Sequence, residues 1–199
     1  MDWFRHAEHH RRSIRLQGND YSQVGTYFVT ICVQDRECLF GDIVEGEMRL
    51  NDAGRMVERW WGELGNKFPS TELGEYVVMP NHFHGIIRIV GADLRVCPDR
   101  TGAHIGAPLR HGPLQRINDA PLPEIVQWFK TMTTNEYLRG VKSLGWPPLN
   151  AKLWQHNYYE RVIRNEEELC RIRQYIADNP AQWAHDRENP LTDGPPRPM

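Results

Sequence analysis

The chain has 199 residues, of which 40% are apolar and 25% charged, and its formal net charge is −2. Those totals describe a globular domain long enough to bury a core, and they exclude a protein that holds polyanions through overall positive charge. No apolar run approaches the ~20 residues of a bilayer span, and the charged N-terminus has no signal-peptide core, so a cytoplasmic address without membrane association is expected. The four cysteines, Cys32, Cys38, Cys97 and Cys170, form no C-x-x-C pair, which fits reduced thiols rather than a zinc ribbon or a disulfide framework.

Residues 1–24 read as a basic N-terminal arm. In RHAEHHRRSIRL, residues 5–16, Arg11, Arg12 and Arg15 stand in a run whose one acid is Glu8. Such a run binds phosphates locally, and it is equally the pattern of a solvated tail. The segment GTYFVTICVQ (25–34) is β-branched and aromatic, and predicts a strand. A weaker strand is expected at Glu47–Leu50. Asn51 then caps a helix to about Leu64, with Met56, Val57, Trp60 and Leu64 toward the core. EYVVMPNHFHGIIRIV (75–90) divides at Pro80-Asn81 into two strands.

Residues 91–121 are dense in Gly, Pro, Arg and Asp without a period, and predict a mobile insertion. A helix is expected over 123–139, with Ile125, Trp128, Phe129 and Met132 on its core side. A strand is expected over 152–164, then a helix capped by Asn165 with Glu168 three residues on, ending at Pro180. Residues 185–199 read as a flexible tail, which leaves 25–184 as the folded domain. This order predicts an α+β fold: a ferredoxin-like antiparallel sheet with helices packed on one side.

Two patterns bear on chemistry. His82 and His84 stand two apart at the start of an apolar strand, so both imidazoles leave the same face while Phe83 turns into the core. Neutral imidazoles on a rigid strand are two ligands toward a divalent ion, and a third must come from elsewhere. The same spacing also suits two structural histidines. On the last helix, Leu169, Ile172 and Ile176 make the buried stripe, with Tyr175 and Asn179 four apart at its edge. Tyr175 offers a phenol and Asn179 a hard amide oxygen. A boundary aromatic and a helix C-cap would look the same.

Three blocks, RRSIRLQGNDYSQVGTYFVTICVQDRECLFG, VVMPNHFHGII and LWQHNYYERVIRNEEELCRIRQYIADNPAQW, resemble the REP-associated tyrosine transposases, chromosomal relatives of the single-tyrosine HUH endonucleases. The resemblance covers roughly residues 11–90 and 122–184, with the blocks in the family order. It implies a ferredoxin-like fold, a divalent metal (Mg or Mn), and single-stranded or hairpin DNA as partner, in a bacterial cytoplasm and at the nucleoid. The HUH pair falls on His82 and His84, the catalytic tyrosine on Tyr175, and the third metal ligand on Asn179. Arg11, Arg12 and Arg15 would contact DNA, and Tyr158 and Tyr159 are runner-up nucleophiles. Two departures stand out: the length of 91–121, and Arg161 where the family often has a histidine.

The activity implied is that of a DNA nickase and strand transferase. It would cleave near REP-type hairpins through a covalent 5′-phosphotyrosine, as a monomer or homodimer. A free phenol with a pKa of ~10 needs a nearby cation to become a nucleophile. Two other readings fit the same residues: a catalytically silent hairpin-binding protein, and a metal-dependent phosphodiesterase that uses activated water.

Overall fold

Alternation along β1 (Gly25–Cys32) divides its side chains between two covered faces: Tyr27, Val29 and Ile31 enter the main core, while Phe28 and Thr30 turn to the opposite side. The computed structural model describes residues 24–90 and 120–191. After β1 come a short hairpin, β2 (Gly41–Val44) and β3 (Glu47–Leu50), then helix α1 (Asp52–Lys67) and the paired strands β4 (Thr71–Val78) and β5 (His82–Ile89). Helix α2 (Leu122–Leu144), strand β6 (Tyr159–Ile163) and helix α3 (Glu166–Asp178) complete the elements, followed by a 3-10 turn at Trp183–His185.

The main sheet runs β4-β5-β1-β6, and every neighbouring pair is antiparallel. This is the ferredoxin-like order. The expected one-sided packing holds for the two crossover helices. Trp61 of α1 and Phe129 of α2 both meet Phe83 of β5, at ring separations of 4.6 and 5.4 Å. Helix α3 is an addition on the other face, where Ile172 and Ile176 pack with Ile86, Ile163 and Phe28. Parity requires this: a helix that meets His82 and His84 must lie opposite the helices that meet Phe83.

Gly85 lets α1 approach the sheet. A Cβ there would stand 2.6 Å from the Trp61 ring, far inside van der Waals contact. At the start of α1, Asn51 caps as expected, its side chain accepting from Gly54 N at 2.9 Å. Met56, Val57 and Leu64 are buried. Trp61, not Trp60, is the core tryptophan of this helix; Trp60 lies at the rim and donates its indole N–H to Glu136 at 2.5 Å. On α2, Ile125 and Phe129 are buried, while Trp128 and Met132 are half-buried.

Three expectations need correction. Strand β2, before Glu47, was not foreseen. The strand expected over 152–164 forms only at Tyr159–Ile163. Its first half is held by other means: Lys130 of α2 donates its ammonium to the carbonyls of Gln155 (2.6 Å) and His156 (2.9 Å), and Trp154 makes an isolated bridge to Val33. Side-chain bonding satisfies the carbonyls that a ladder would have used. Finally, the segment expected to be a flexible tail from residue 185 begins packed. Glu188 and Asn189 are buried, and the Glu188 carbonyl accepts from Asn81 Nδ2 at 2.6 Å. The arm 1–23 with Arg11, Arg12 and Arg15, most of the expected insertion (91–119), and 192–199 lie outside the described residues.

Candidate active site

His82 and His84 open β5 and are almost completely buried, at 0% and 4% exposure, with ring centroids 4.6 Å apart. The strand alternation that sends Phe83 into the main core sends both imidazoles to the α3 face. Each ring is held at Nδ1. Thr30, directly opposite His84 in the β1–β5 register, places Oγ1 2.8 Å from His84 Nδ1. Asn81 Oδ1 lies 3.0 Å from His82 Nδ1.

The second of these contacts determines a tautomer. Asn81 Nδ2 donates to the carbonyls of Arg36 (3.0 Å) and Glu188 (2.6 Å), so the amide group has one orientation and Oδ1 faces His82. An amide oxygen only accepts, so His82 Nδ1 carries the proton, and in the neutral ring Nε2 presents its lone pair. For His84, a proton on Nδ1 directed at Thr30 Oγ1 would likewise leave Nε2 as a donor atom toward an ion.

Helix α3 brings in the rest. Its N-terminus is set by Asn165, which accepts from Glu168 N at 2.8 Å. The Glu168 carboxylate reaches back to Arg164 N at 3.0 Å, one residue before the partner a capping box would use, and also binds the guanidinium of Arg161. The hydrogen bond to Arg164 N, foremost, and the neighbouring Arg161 hold that carboxyl below the usual range. Arg161, the departure at the family's histidine, thus clamps β6 to the start of α3.

Two turns further along, the Tyr175 hydroxyl lies 3.4 Å from His84 Nε2, with ring centroids 5.3 Å apart. Phe28 stacks on His84 at 5.3 Å and meets Tyr175 edge-on at 6.0 Å. The Tyr175 side chain remains open to solvent, 42% exposed. One helical turn on, Asn179 is the C-cap residue of α3 and is 3% exposed. Its Oδ1 is buried without a hydrogen-bond partner. An orphaned acceptor of this kind costs ~1–3 kcal/mol, a cost that a cation would offset.

The phenol and both imidazoles are therefore brought together within one chain, and the helix turn that carries Tyr175 carries Asn179 beside it. The runner-up tyrosines stand differently. Tyr158 packs against the main core, on the α1/α2 side of the sheet. Tyr159 pairs with Thr30 on β6 and shares the histidine face, but lies two strands from β5.

Sequence reasoning missed Phe28, Thr30, Asn81 and Asp186. Asp186 Oδ2 lies 3.8 Å from His82 Nε2, and Trp183 covers the same imidazole at a ring separation of 6.0 Å. Phe28, Thr30 and Asn81 lie inside the quoted blocks, but no spacing within those blocks assigns them a role, and Asp186 lies beyond them. Register was the one available signal, since a strand that pairs with β5 must place a residue opposite His84. Among the described residues no three His, Cys, Asp or Glu side chains close on one point, so a divalent ion here would need the Asn179 amide oxygen. Two histidines and a buried amide oxygen suit such an ion.

No protein-family model matches the chain. An uncharacterized protein of Haemophilus influenzae is 38% identical over 183 residues, 90% of this chain and 93% of that protein. Among solved structures, a REP-associated tyrosine transposase bound to a REP hairpin is similar with a TM-score of 0.50 and 19% identity, over 80% of this chain and 68% of that one. Among the described residues no helix is long and apolar enough to cross a membrane.

Proposed function

This chain belongs to one family with the Haemophilus influenzae protein and has the fold of a REP-associated tyrosine transposase, and on that premise we propose that it is a transposase-type nickase and strand transferase. Its substrate would be single-stranded DNA beside a hairpin, and it would need a divalent ion, Mg or Mn. One observation carries this reading: the Tyr175 hydroxyl stands 3.4 Å from His84 Nε2 on the sheet face opposite the main core.

His82 Nε2, His84 Nε2 and Asn179 Oδ1 would hold the ion. Bound there, it would supply Lewis-acid stabilisation of the charge that builds on the scissile phosphate. The remaining steps belong to the chain. Phe28 packs against both the His84 and Tyr175 rings and so limits their relative movement. Tyr175 Oη attacks phosphorus in line and loses its proton to solvent through its exposed edge. The bond from phosphorus to the 3′ oxygen breaks, and that oxygen takes a proton from solvent and leaves as a 3′-hydroxyl. DNA stays attached to Tyr175 through a 5′-phosphotyrosine. A second 3′-hydroxyl can reverse the step, because one phosphoester is exchanged for another. Arg11, Arg12 and Arg15 would bind backbone phosphates of the hairpin stem.

The test is a denaturing gel of the full chain, Mn(II) and an end-labelled hairpin oligonucleotide with a single-stranded flank. A covalent protein–DNA band is expected, absent from Tyr175→Phe and from samples treated with chelator. Nicked product without an adduct, surviving Tyr175→Phe, would establish the activated-water phosphodiesterase instead. Hairpin binding without cleavage would leave a silent DNA-binding protein. Either result overturns the proposal.

A further inference from the structure

Away from the histidines, a cavity of about 340 Å³ opens between α2 and residues 151–156. Lys130, Lys152 and His156 line it, and none of the described residues in its wall is an acid. Lys130 is 9% exposed. Its ammonium has three N–H donors, of which two go to the carbonyls of Gln155 (2.6 Å) and His156 (2.9 Å), and the third remains unspent at the cavity wall. The carbonyls satisfy hydrogen bonds without cancelling the charge. A neutral donor would staple the same loop and avoid the cost of burying an ion. Lysine here leaves a positive charge in the recess. Burial, and then Lys152, push that ammonium down to about 8, so near neutral pH it is still mainly protonated. Two like charges that share a recess without an acid are eased by an anion placed between them.

The place of the cavity bears on which anion. Gln155 N donates to Cys32 O at 2.9 Å, and Cys32 stands opposite His82 in the β1–β5 pair. The segment that walls the cavity is thus two strand spacings, roughly 10 Å, from the start of β5. It lies at the end of the sheet where the histidines begin, with the lysines on the α2 side and the imidazoles on the α3 side. A nucleic-acid strand held at His82 and His84 reaches Lys130 by turning round that end. Duplex DNA is too stiff for such a turn, whereas an unpaired strand bends freely.

We propose that this recess takes a backbone phosphate of the single-stranded flank, held by the ammonium groups of Lys130 and Lys152. The inference rests on the DNA substrate of the preceding section. It adds a contact on the strand beside the hairpin, separate from the metal site and from the stem.

The experiment measures binding of a labelled hairpin oligonucleotide with a single-stranded flank by fluorescence anisotropy. It uses the full chain with Mn(II), in a Tyr175→Phe background to prevent adduct formation. Lys152 is exposed, so Lys152→Gln removes a charge without disturbing the core. Affinity is expected to fall about three- to tenfold, and the slope of log K against log salt to flatten by about 0.7, the value for one phosphate of a single strand. Lys67→Gln, the same charge loss at the exposed end of α1, should leave both unchanged. Lys130→Gln should match Lys152→Gln, with its thermal midpoint reporting whether it folds and Lys152→Glu replacing it if it does not. A neutral methylphosphonate is then placed at each flank linkage in turn. One linkage should weaken binding by the Lys152 chain and have no further effect in Lys152→Gln. Equal losses in Lys152→Gln and Lys67→Gln, or no linkage whose effect depends on Lys152, would overturn this inference and leave the proposed function standing. So would inorganic phosphate that shifts the amide resonances of residues 151–156 where the flank does not, since the recess would then hold a free anion. A chain that binds no oligonucleotide would overturn both.

Discussion

Thr30 on β1 holds its hydroxyl oxygen 2.8 Å from Nδ1 of His84 on β5, directly across the strand pair. The contact fixes the rotation of an imidazole whose other nitrogen faces the Tyr175 hydroxyl. Thr30→Val keeps the shape and removes the partner. Losing such a support of a ligand is expected to weaken Mn(II) binding by roughly 10- to 100-fold, and to lower stability by about 1 kcal/mol. Metal titration and urea unfolding of the same variant check both values. Unchanged affinity would show that Phe28 stacking alone orients His84.

Tyr175 is 42% exposed, and its hydroxyl makes a long contact of 3.4 Å. Tyr175→Phe retains the ring packing against Phe28 and His84. Stability is expected to change by less than about 0.5 kcal/mol, whereas adduct formation should vanish. Thermal unfolding beside the denaturing gel separates loss of the nucleophile from loss of the fold.

Gly85 lies beneath Trp61, where a methyl group would meet the indole at 2.6 Å. Gly85→Ala is expected to destabilise by about 1–3 kcal/mol through overpacking. The strain falls next to His84, so amide exchange should quicken along β5 and Mn(II) affinity should drop with it. A variant as stable as the parent would mean that α1 yields without cost.

Burial, with repulsion from Lys152 as a lesser cause, pushes the Lys130 ammonium down from 10.5 to about 8. The unfolded chain therefore binds the extra proton between those values, and stability rises with pH across that window. Below about pH 8 both states are protonated and the contribution is flat. Solvent reaches part of this side chain, so the gain from about pH 7.5 to 9.5 should be on the order of 1 kcal/mol. Tyr137, pushed up to about 12 by burial and by Glu37, works in the opposite direction only above about pH 10. In Lys130→Met the rising slope should disappear from urea midpoints. An identical slope in both proteins would remove Lys130 as its source.

Much of the architecture was legible locally. The β-branched run at 25–34, the Asn51 and Asn165 caps, and the Pro80-Asn81 break each encode an element through their own backbone preferences. Failures came where distant groups replaced local ones. Residues 152–158 carry strand-like side chains, but Lys130 takes the carbonyls of Gln155 and His156. Trp60 and Trp61 are the same residue type side by side, and the space above Gly85 admits the second to the core while Glu136 holds the first at the rim. The packed residues 186–189 look like tail in composition, because their partners Arg36 and Asn81 lie more than a hundred residues earlier.

By itself the sequence determined the parity of the histidines on their strand and the one-turn spacing of Tyr175 and Asn179 on their helix. Both follow from fixed repeats of backbone geometry, which need no partner. Only the tertiary structure decided that α3 crosses to the far face, that the phenol meets His84, that Asn81 sets the tautomer of His82, and that Asp186 returns to it. Those relations join residues up to about a hundred positions apart, and no local periodicity carries the packing that closes such distances.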